Sequence, residues 1–167
     1  LLGDVTNNGK TQEAQELRAR LADSGVRVLV LAGNHDLSGM DAPSFNALFH
    51  AFGTDQAYSV DAASGSMAVH LTDSTDIVLL CTAHVDDASG YVSDETLAWL
   101  TGIEESGRRV LVCGHHPILP HSVNESTRAD LTEGREALAQ LLAGSRLPIY
   151  LAGHRHIGHW TQEDGLT

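Results

Sequence analysis

The sequence is poor in basic residues. It has 10 Lys and Arg against 22 Asp and Glu, which gives a formal net charge of −12 at pH 7. A negative surface repels DNA, RNA and anionic lipid at long range, so binding to long nucleic acids is disfavoured. The same field would repel an anionic small substrate unless bound divalent cations reversed it locally. The charge balance therefore favours a metal-binding protein.

Long apolar runs are also missing, and cysteines are few. No apolar run approaches the roughly 20 residues that a membrane-spanning helix requires, so we predict no membrane span. Cys81 and Cys113 each lie in an apolar, strand-like run, where a free cysteine behaves as a small buried hydrophobe. They indicate neither an oxidising nor a reducing compartment, so cytoplasmic and exported locations both stay open. No GxSxG motif is present, which argues against a serine nucleophile of the α/β-hydrolase type.

Helical and strand-like patterns alternate along the chain. With 42% hydrophobic and 19% charged residues, it has the composition of a soluble globular protein, and its length predicts a single domain over residues 1–167. The patterns predict helices over residues 11–24, 42–52, 93–105 and 132–143, and strands over residues 26–32, 109–113 and 148–152, with three more between residues 58 and 84. This alternation predicts a layered α/β fold whose functional loops follow the strand ends.

Polar residues of the metal-binding types follow four strand-like segments. Asp4 comes after the first segment and Asn34-His35-Asp36 after the second, whereas His115-His116 and His154-Arg155-His156 follow two later strands. The carboxyl ends of neighbouring strands meet at one edge of such a sheet, so we expect these residues to converge. Carboxylate, amide and imidazole ligands together suit divalent Mn, Fe, Zn or Ni.

Each of these motifs taken alone also has a simpler interpretation. Gly3-Asp4 fits ordinary turn chemistry, and Asn34-His35-Asp36 fits a polar turn that caps a helix. His115-His116-Pro117 could be a loop with a proline stop, and His154 and His156 could be surface histidines of a strand. Four histidines outside the motifs are expected to be helix, strand or surface residues: His50, His70, His84 and His159. His121, in the loop after His115-His116-Pro117, is close enough in sequence to reach a substrate, but we expect a solvated loop residue.

The ordered set GD, GNHD, HHP and GHxH, from Gly3 to His156, resembles the signature of calcineurin-like metallophosphoesterases. The resemblance implies an α/β/β/α sandwich that hydrolyses phosphate esters with two divalent metal ions. The family's first motif, D-x-H, has no counterpart here. Because Leu1-Leu2 reads as the end of a strand, we expect the fold to be incomplete at the N-terminus, and the short tail after His156 indicates the same for the C-terminus.

The resemblance also implies a set of metal ligands. Asp4 would bridge the two ions, and Asn34, His115 and His154 would bind one of them. His156 would bind the other. Such ions lower the pKa of a shared water and neutralise charge on the phosphate, so no protein nucleophile is required.

A general acid is implied as well. His35 would contact the substrate phosphate and protonate the leaving alkoxide, oriented by Asp36. Asn7 stands where the family often has Asp and would support the loop by hydrogen bonding. Arg155, between two ligands, varies in type across such proteins and is left out of the site.

Two functions are compatible with these motifs. The first is a metal-dependent hydrolase of small phosphomonoesters or phosphodiesters, favoured by the intact ligands and the His35-Asp36 pair. The second is a phosphoesterase-fold module that binds a partner without turnover, favoured by the missing D-x-H. A metallo-β-lactamase would need an HxHxDH cluster, which is absent. Without D-x-H, we expect the 167-residue chain to bind at most one metal ion tightly and to hydrolyse phosphodiesters slowly or not at all, because activation of the shared water needs both ions. The oligomeric state is not indicated.

Overall fold

The computed structural model describes residues 1–119, 130–156, 158 and 160–167. His121 and His159, interpreted above as ordinary loop or surface residues, lie outside the described residues, as does most of the loop between Pro117 and Asp130.

Helices and strands alternate through the described part of the chain. Its α-helices are α1 (Thr11–Asp23), α2 (Ala42–Leu48), α3 (Asp94–Glu104) and α4 (Arg135–Ala143). Its strands are β1 (Ala57–Val60), β2 (Met67–Thr72), β3 (Thr75–Leu80), β4 (Gly90–Tyr91), β5 (Arg109–Gly114), β6 (Leu131–Glu133) and β7 (Tyr150–Leu151). The predicted α/β class is confirmed. Among the described residues, no helix has the length and apolar character needed to cross a bilayer.

A five-stranded sheet in the order β1-β2-β3-β5-β7 forms the centre of the molecule. The β1–β2 and β2–β3 pairs are antiparallel, whereas β3–β5 and β5–β7 are parallel. The carboxyl ends of β3, β5 and β7 therefore open at one edge, where loops can meet. β4 and β6 form a separate parallel pair.

The two faces of this sheet belong to different hydrophobic clusters, because successive side chains of a strand point to opposite faces. Val78 and Val112 pack on one face against buried residues of α3 and α4, among them Leu100 and Leu138. Leu79 and Cys113 pack on the other face against Leu2 and Leu31. α1 and α2 then cover the segment that contains Leu31, through Ala14 and Phe45. From one side of the molecule to the other, the layers are therefore α3 and α4, the five-stranded sheet, the extended segment that contains Leu31, and α1 with α2.

The strand predicted over residues 26–32 is wrong in one respect. The segment is extended and buried at Val30, Leu31 and Ala32, but its recorded pairing is a single parallel bridge between Leu31 and Leu2. The amide of Leu31 donates to the carbonyl of Leu1 at 3.2 Å, while that of Val30 donates to the carbonyl of Phe52 at 2.8 Å. Adjacent amides of an extended chain point to opposite sides, so Leu1 and Phe52 lie on the two sides of this segment, but among the described residues neither neighbour continues alongside it as a ladder.

The predicted helices differ from the observed ones at their ends. α3 agrees well, and its predicted N-cap Ser93 accepts the Thr96 amide at 3.2 Å. α2 stops at Leu48, because Phe49 leaves the helical conformation and residues 50–52 form a separate 3-10 turn. α4 starts at Arg135 and not at residue 132, because residues 131–133 pair as β6 before Gly134 adopts a φ of 72°.

A fully buried carboxylate, Asp76 of β3, joins β1, β2 and β3 to the turn before β5. Its oxygens lie 2.8 Å from Arg108 Nε, His70 Nδ1 and the Tyr58 hydroxyl. Burial opposes ionisation, but the hydrogen bonds from His70, Tyr58 and Arg108 outweigh it and lower the pKa of Asp76. Burial and the same carboxylate raise the pKa of Tyr58 to about 12.

We expect Asp76→Asn to lower the free energy of unfolding by roughly 2–3 kcal/mol at pH 7, the scale of hydrogen bonds to a charged group. The carboxylate's contribution is fully present above its unfolded pKa of about 3.9 and is lost as the pH falls through the depressed folded pKa. The gap between wild type and variant should therefore close in acid. Urea unfolding between pH 7 and pH 2 measures it, with the exposed Asp73→Asn as the control. A gap that does not change with pH would contradict the assignment.

Candidate metal centre

Four loops bring the sequence motifs to the carboxyl edge of the sheet. His115 follows β5 directly, and His154 lies shortly after β7. The bridge between Leu2 and Leu31 lays two chain segments side by side just before Asp4 and Asn34. A cavity of about 280 Å³ opens there, lined by Leu2, Gly3, Asp4, His115, Ala152, Gly153, His154 and His156.

Ligand-type atoms of four residues lie about 3 Å apart at this cavity. His115 Nε2 is 3.0 Å from Asn34 Oδ1, 3.1 Å from His154 Nδ1 and 3.3 Å from Asp4 Oδ2. His154 Nδ1 is 3.1 Å from Asn34 Oδ1. Ligands about 2.1 Å from one ion lie roughly 3.0 Å apart in an octahedron and roughly 3.4 Å apart in a tetrahedron. The four separations fit a shared metal ion.

The protonation of the His115 ring also favours a bound cation at this cluster. His115 Nδ1 lies 2.7 Å from the Leu2 carbonyl oxygen, which can only accept, so Nδ1 carries a hydrogen. In the neutral ring, Nε2 then presents a lone pair towards Asn34 Oδ1 and Asp4 Oδ2, which are acceptors too. Such a set is stabilised by a positive centre, either a proton on His115 or a bound divalent cation.

The charge states of Asp4 and His154 suit metal binding. Burial opposes the charge of Asp4, but contacts with His115 and with the backbone amide of His35, which donates to Oδ1 at 2.9 Å, outweigh it and lower its pKa. Burial and the charge of His115 lower the pKa of His154. Both groups are thereby held in the forms that bind metals, a carboxylate and a neutral imidazole.

Close backbone contact joins the loops that carry these ligands. Asp4 has a φ of 51°, a conformation that is uncommon for residues other than glycine. A Cβ on Gly33 would collide with the Asp4 backbone nitrogen and carboxylate, and would lie 2.7 Å from His115 Cε1. Gly33 is therefore required for Asp4 and His115 to approach each other.

His35 lies beside the cluster on the same loop as Asn34, and it is exposed. Its Nδ1 is 2.9 Å from the carbonyl oxygen of Asn7, so Nδ1 donates a hydrogen bond there. The ring is thus oriented by the backbone of Asn7, whereas the sequence led us to expect Asp36 in that role.

Asp36 holds the two ligand loops together instead. It is fully buried and accepts hydrogen bonds from the Thr6 amide and hydroxyl, each at 2.7 Å. It also accepts from the Gly33 amide at 2.9 Å and the Val5 amide at 3.2 Å. The carboxylate therefore acts as a clamp between the loop after Asp4 and the GNHD loop.

A sequence profile described as "Calcineurin-like phosphoesterase" matches residues 1–158. The chain belongs to the calcineurin-like phosphoesterase family. Among curated proteins, it is similar to one named glycerophosphodiester phosphodiesterase GpdQ, from Enterobacter lignolyticus (strain SCF1), with 25% identity over 159 residues. The alignment covers 92% of this chain and 54% of that protein, so the chain spans about half the length of the curated relative.

His116 lies close to the cluster, and the sequence did not predict its role. The side chains of His115, His116 and His154 offer ring nitrogens within 4.8 Å of one another. However, His116 Nε2 lies 3.2 Å from the Ala88 carbonyl and Nδ1 lies 2.8 Å from the Thr82 hydroxyl. Nε2 donates and Nδ1 accepts, so both nitrogens are already engaged. Burial, with the charges of His115 and His154, lowers the pKa of His116 to about 3, which keeps the ring neutral.

Tyr150 supports the same HHP motif from β7. Its hydroxyl donates to the backbone carbonyl of His116 at 2.9 Å. Gly114 leaves the space for this contact, because a Cβ there would collide with the hydroxyl oxygen. Neither Tyr150 nor Thr82 stands in a recognisable motif, so sequence reasoning missed both.

The remaining candidates are placed more simply. His156 is exposed and lines the cavity with a φ of 54°. His70 pairs with Asp76, as described above. Cys81 and Cys113 are free thiols, and burial raises the pKa of each to about 11. Both are thus poor nucleophiles.

We expect Gly33→Ala to lower the free energy of unfolding by roughly 1–3 kcal/mol, the usual cost of an added methyl group in packed surroundings. It should also separate Asp4 from His115 and so weaken metal binding. The matched control is Gly102→Ala in α3, where a Cβ meets nothing within 4 Å, and which should stabilise the helix by roughly 0.5–1 kcal/mol. Urea unfolding of both variants tests this, and equal effects would contradict the packing at Gly33.

Proposed function

We propose that this chain hydrolyses small phosphodiesters with the help of a divalent metal bound by Asp4, Asn34, His115 and His154. The observation that carries the proposal is the grouping of four ligand-type atoms about 3 Å apart at the carboxyl edge of the sheet. Membership of the phosphoesterase family supports the reaction class. The name of the similar GpdQ protein favours diesters over monoesters as substrates.

The residues divide the work between them. When bound, divalent metal ions would lower the pKa of water and neutralise charge on the phosphate. The Leu2 carbonyl fixes the ring of His115 so that Nε2 faces the site, a support that metal-binding histidines commonly have. Asp36 keeps the Asp4 and Asn34 loops in register by accepting four hydrogen bonds.

His35 is the general acid in this proposal. Nδ1 donates to the Asn7 carbonyl, and in the protonated ring Nε2 carries the second hydrogen. That hydrogen would pass to the oxygen of the leaving alcohol as the P–O bond breaks. The exposure of His35 leaves room for an alcohol of some size beside it.

We expect His35→Ala to retain bound metal while lowering kcat by roughly 10²- to 10⁴-fold, the range for loss of a general acid. The loss should be greater for an alkyl glycerophosphodiester than for bis(4-nitrophenyl) phosphate, because 4-nitrophenolate leaves without protonation. Metal analysis and initial rates on both esters measure this.

Two further variants serve as controls for that measurement. His154→Ala should lose metal as well as activity, whereas His50→Ala, an exposed residue of the 3-10 turn after α2, should change neither. A His35→Ala protein with wild-type rates on the alkyl ester would refute the general acid. A chain that binds metal but hydrolyses neither ester would instead favour the binding module without turnover.

We expect the 167-residue chain to hold at most one metal ion tightly. Asp4, Asn34, His115 and His154 offer four ligands to one ion, but only His156 and a share of Asp4 are offered to a second. Mass spectrometry of the native protein after dialysis against Mn²⁺, Zn²⁺ or Co²⁺ counts the ions. Two tightly held ions per chain would be incompatible with this ligand set.

A further inference from the structure

The turn after β7 places two histidines in an unfavourable backbone conformation. His154 and His156 have φ values of 66° and 54°, in the left-handed region that residues with a Cβ seldom occupy. Both nevertheless line the metal-site cavity. A relaxed turn would move His154 Nδ1 away from His115 and Asn34, so other contacts must stabilise this backbone.

Arg155, the residue between these histidines, supplies such a contact. Its side chain lines a neighbouring groove beside Tyr150 and Trp160, not the metal-site cavity. Nε and Nη2 of Arg155 lie 2.8 and 2.6 Å from Asp130 Oδ1. The two side chains are only 12% and 9% exposed, so water and salt screen the pair weakly, and its short, charge-assisted hydrogen bonds are of the strong kind.

Asp130 is fixed in turn by the elements around it. Its carbonyl accepts the Gly90 amide of β4 at 3.1 Å, and the next residue, Leu131, donates to the Pro117 carbonyl at 3.4 Å. Pro117 directly follows the His115-His116 pair. The ion pair therefore ties the turn after β7 to the segment that leaves β5, and so relates His154 to His115.

A direct role of Arg155 in binding phosphate fits these contacts less well. The guanidinium is paired with a buried carboxylate, and Arg155 lines the neighbouring groove and not the cavity that the histidines line. Binding a phosphate would require it to leave Asp130 unpaired in a site of low exposure, which is costly for a charged group.

We infer that Asp130 and Arg155 are positioning residues of the metal centre, whose ion pair holds the His154-Arg155-His156 turn so that both imidazoles face the cavity. The inference rests on the proposed function, because it takes these histidines to be metal ligands. The pair itself does not touch metal or substrate. Its effect should be of the size known for groups that orient ligands, roughly 10- to 100-fold in metal affinity.

The test uses the full chain and Co²⁺ as the probe. Asp130→Asn and Arg155→Gln should each weaken Co²⁺ binding by roughly 10- to 100-fold and change the visible absorption of the bound ion. The double variant should bind Co²⁺ no more weakly than the single variants do, since the effects of substituting residues that act as a unit are not additive. Arg155→Lys should recover part of the affinity, because it keeps the charge without the planar fork.

The matched control is Arg108→Gln, which removes an ion pair with buried Asp76 on a different part of the sheet. It should lower thermal stability without altering the Co²⁺ spectrum or affinity. Unchanged affinity in Asp130→Asn, or strictly additive losses in the double variant, would overturn the inference. If Asp130→Asn does not fold, Asp130→Glu replaces it, since it keeps the charge but displaces it.

A metal-free measurement separates this inference from the proposed function. The ring-nitrogen NMR shifts of His154 should move in Asp130→Asn and stay at their wild-type values in Arg108→Gln. Shifts that are the same in wild type and Asp130→Asn would refute positioning, even if Co²⁺ binds well. A wild-type chain that binds no Co²⁺ would count against the proposed function, and the NMR comparison would then decide the positioning role by itself.

Discussion

The hydrogen bond from His115 Nδ1 to the Leu2 carbonyl, at 2.7 Å, is the contact on which the site depends. It joins the residue after β5 to the segment before Asp4, which are more than a hundred positions apart in sequence. By placing the ring hydrogen on Nδ1, it leaves the Nε2 lone pair facing Asn34, His154 and Asp4. The cluster then requires a positive centre, because acceptor atoms that converge on one point are stabilised by a cation there.

Close packing of backbones makes this contact possible. A Cβ on Gly33 would collide with Asp4 and His115, and a Cβ on Gly153 would lie 2.6 Å from the Leu2 carbonyl oxygen, so neither glycine has space for a side chain. Two carboxylates that are not among the candidate ligands contact these loops. Asp36 accepts hydrogen bonds from the backbone amides of Thr6 and Gly33, and Asp130 pairs with Arg155. The site is thus a set of loops held by buried acidic groups, in a chain whose net charge is strongly negative.

Much of the fold and the metal-type cluster could be predicted from sequence, because both depend on local patterns. A continuous apolar run located β5 and the Ser93 cap located α3. The motifs at the strand ends led us to expect that Asp4, Asn34, His115 and His154 converge. What the sequence could not show depends on tertiary partners. The family resemblance implied that Asp36 orients His35, yet its buried oxygens bind the backbone amides of Val5 and Thr6, which are 31 and 30 positions away. The segment over residues 26–32 has a strand's composition but not the continuous neighbour that a strand needs.

The contact between Tyr150 and the HHP motif has a consequence for the evolution of this chain. The Tyr150 hydroxyl occupies the space that a side chain at position 114 would fill, and it binds the carbonyl of His116. Side chains at positions 114 and 150 therefore compete for the same space. Among homologues, a larger residue at position 114 should occur only with a shorter one at position 150, and such pairs need another donor for the His116 carbonyl. A substitution at position 150 of β7, outside every recognisable motif, would thus change which residues position 114 at the end of β5 can accept.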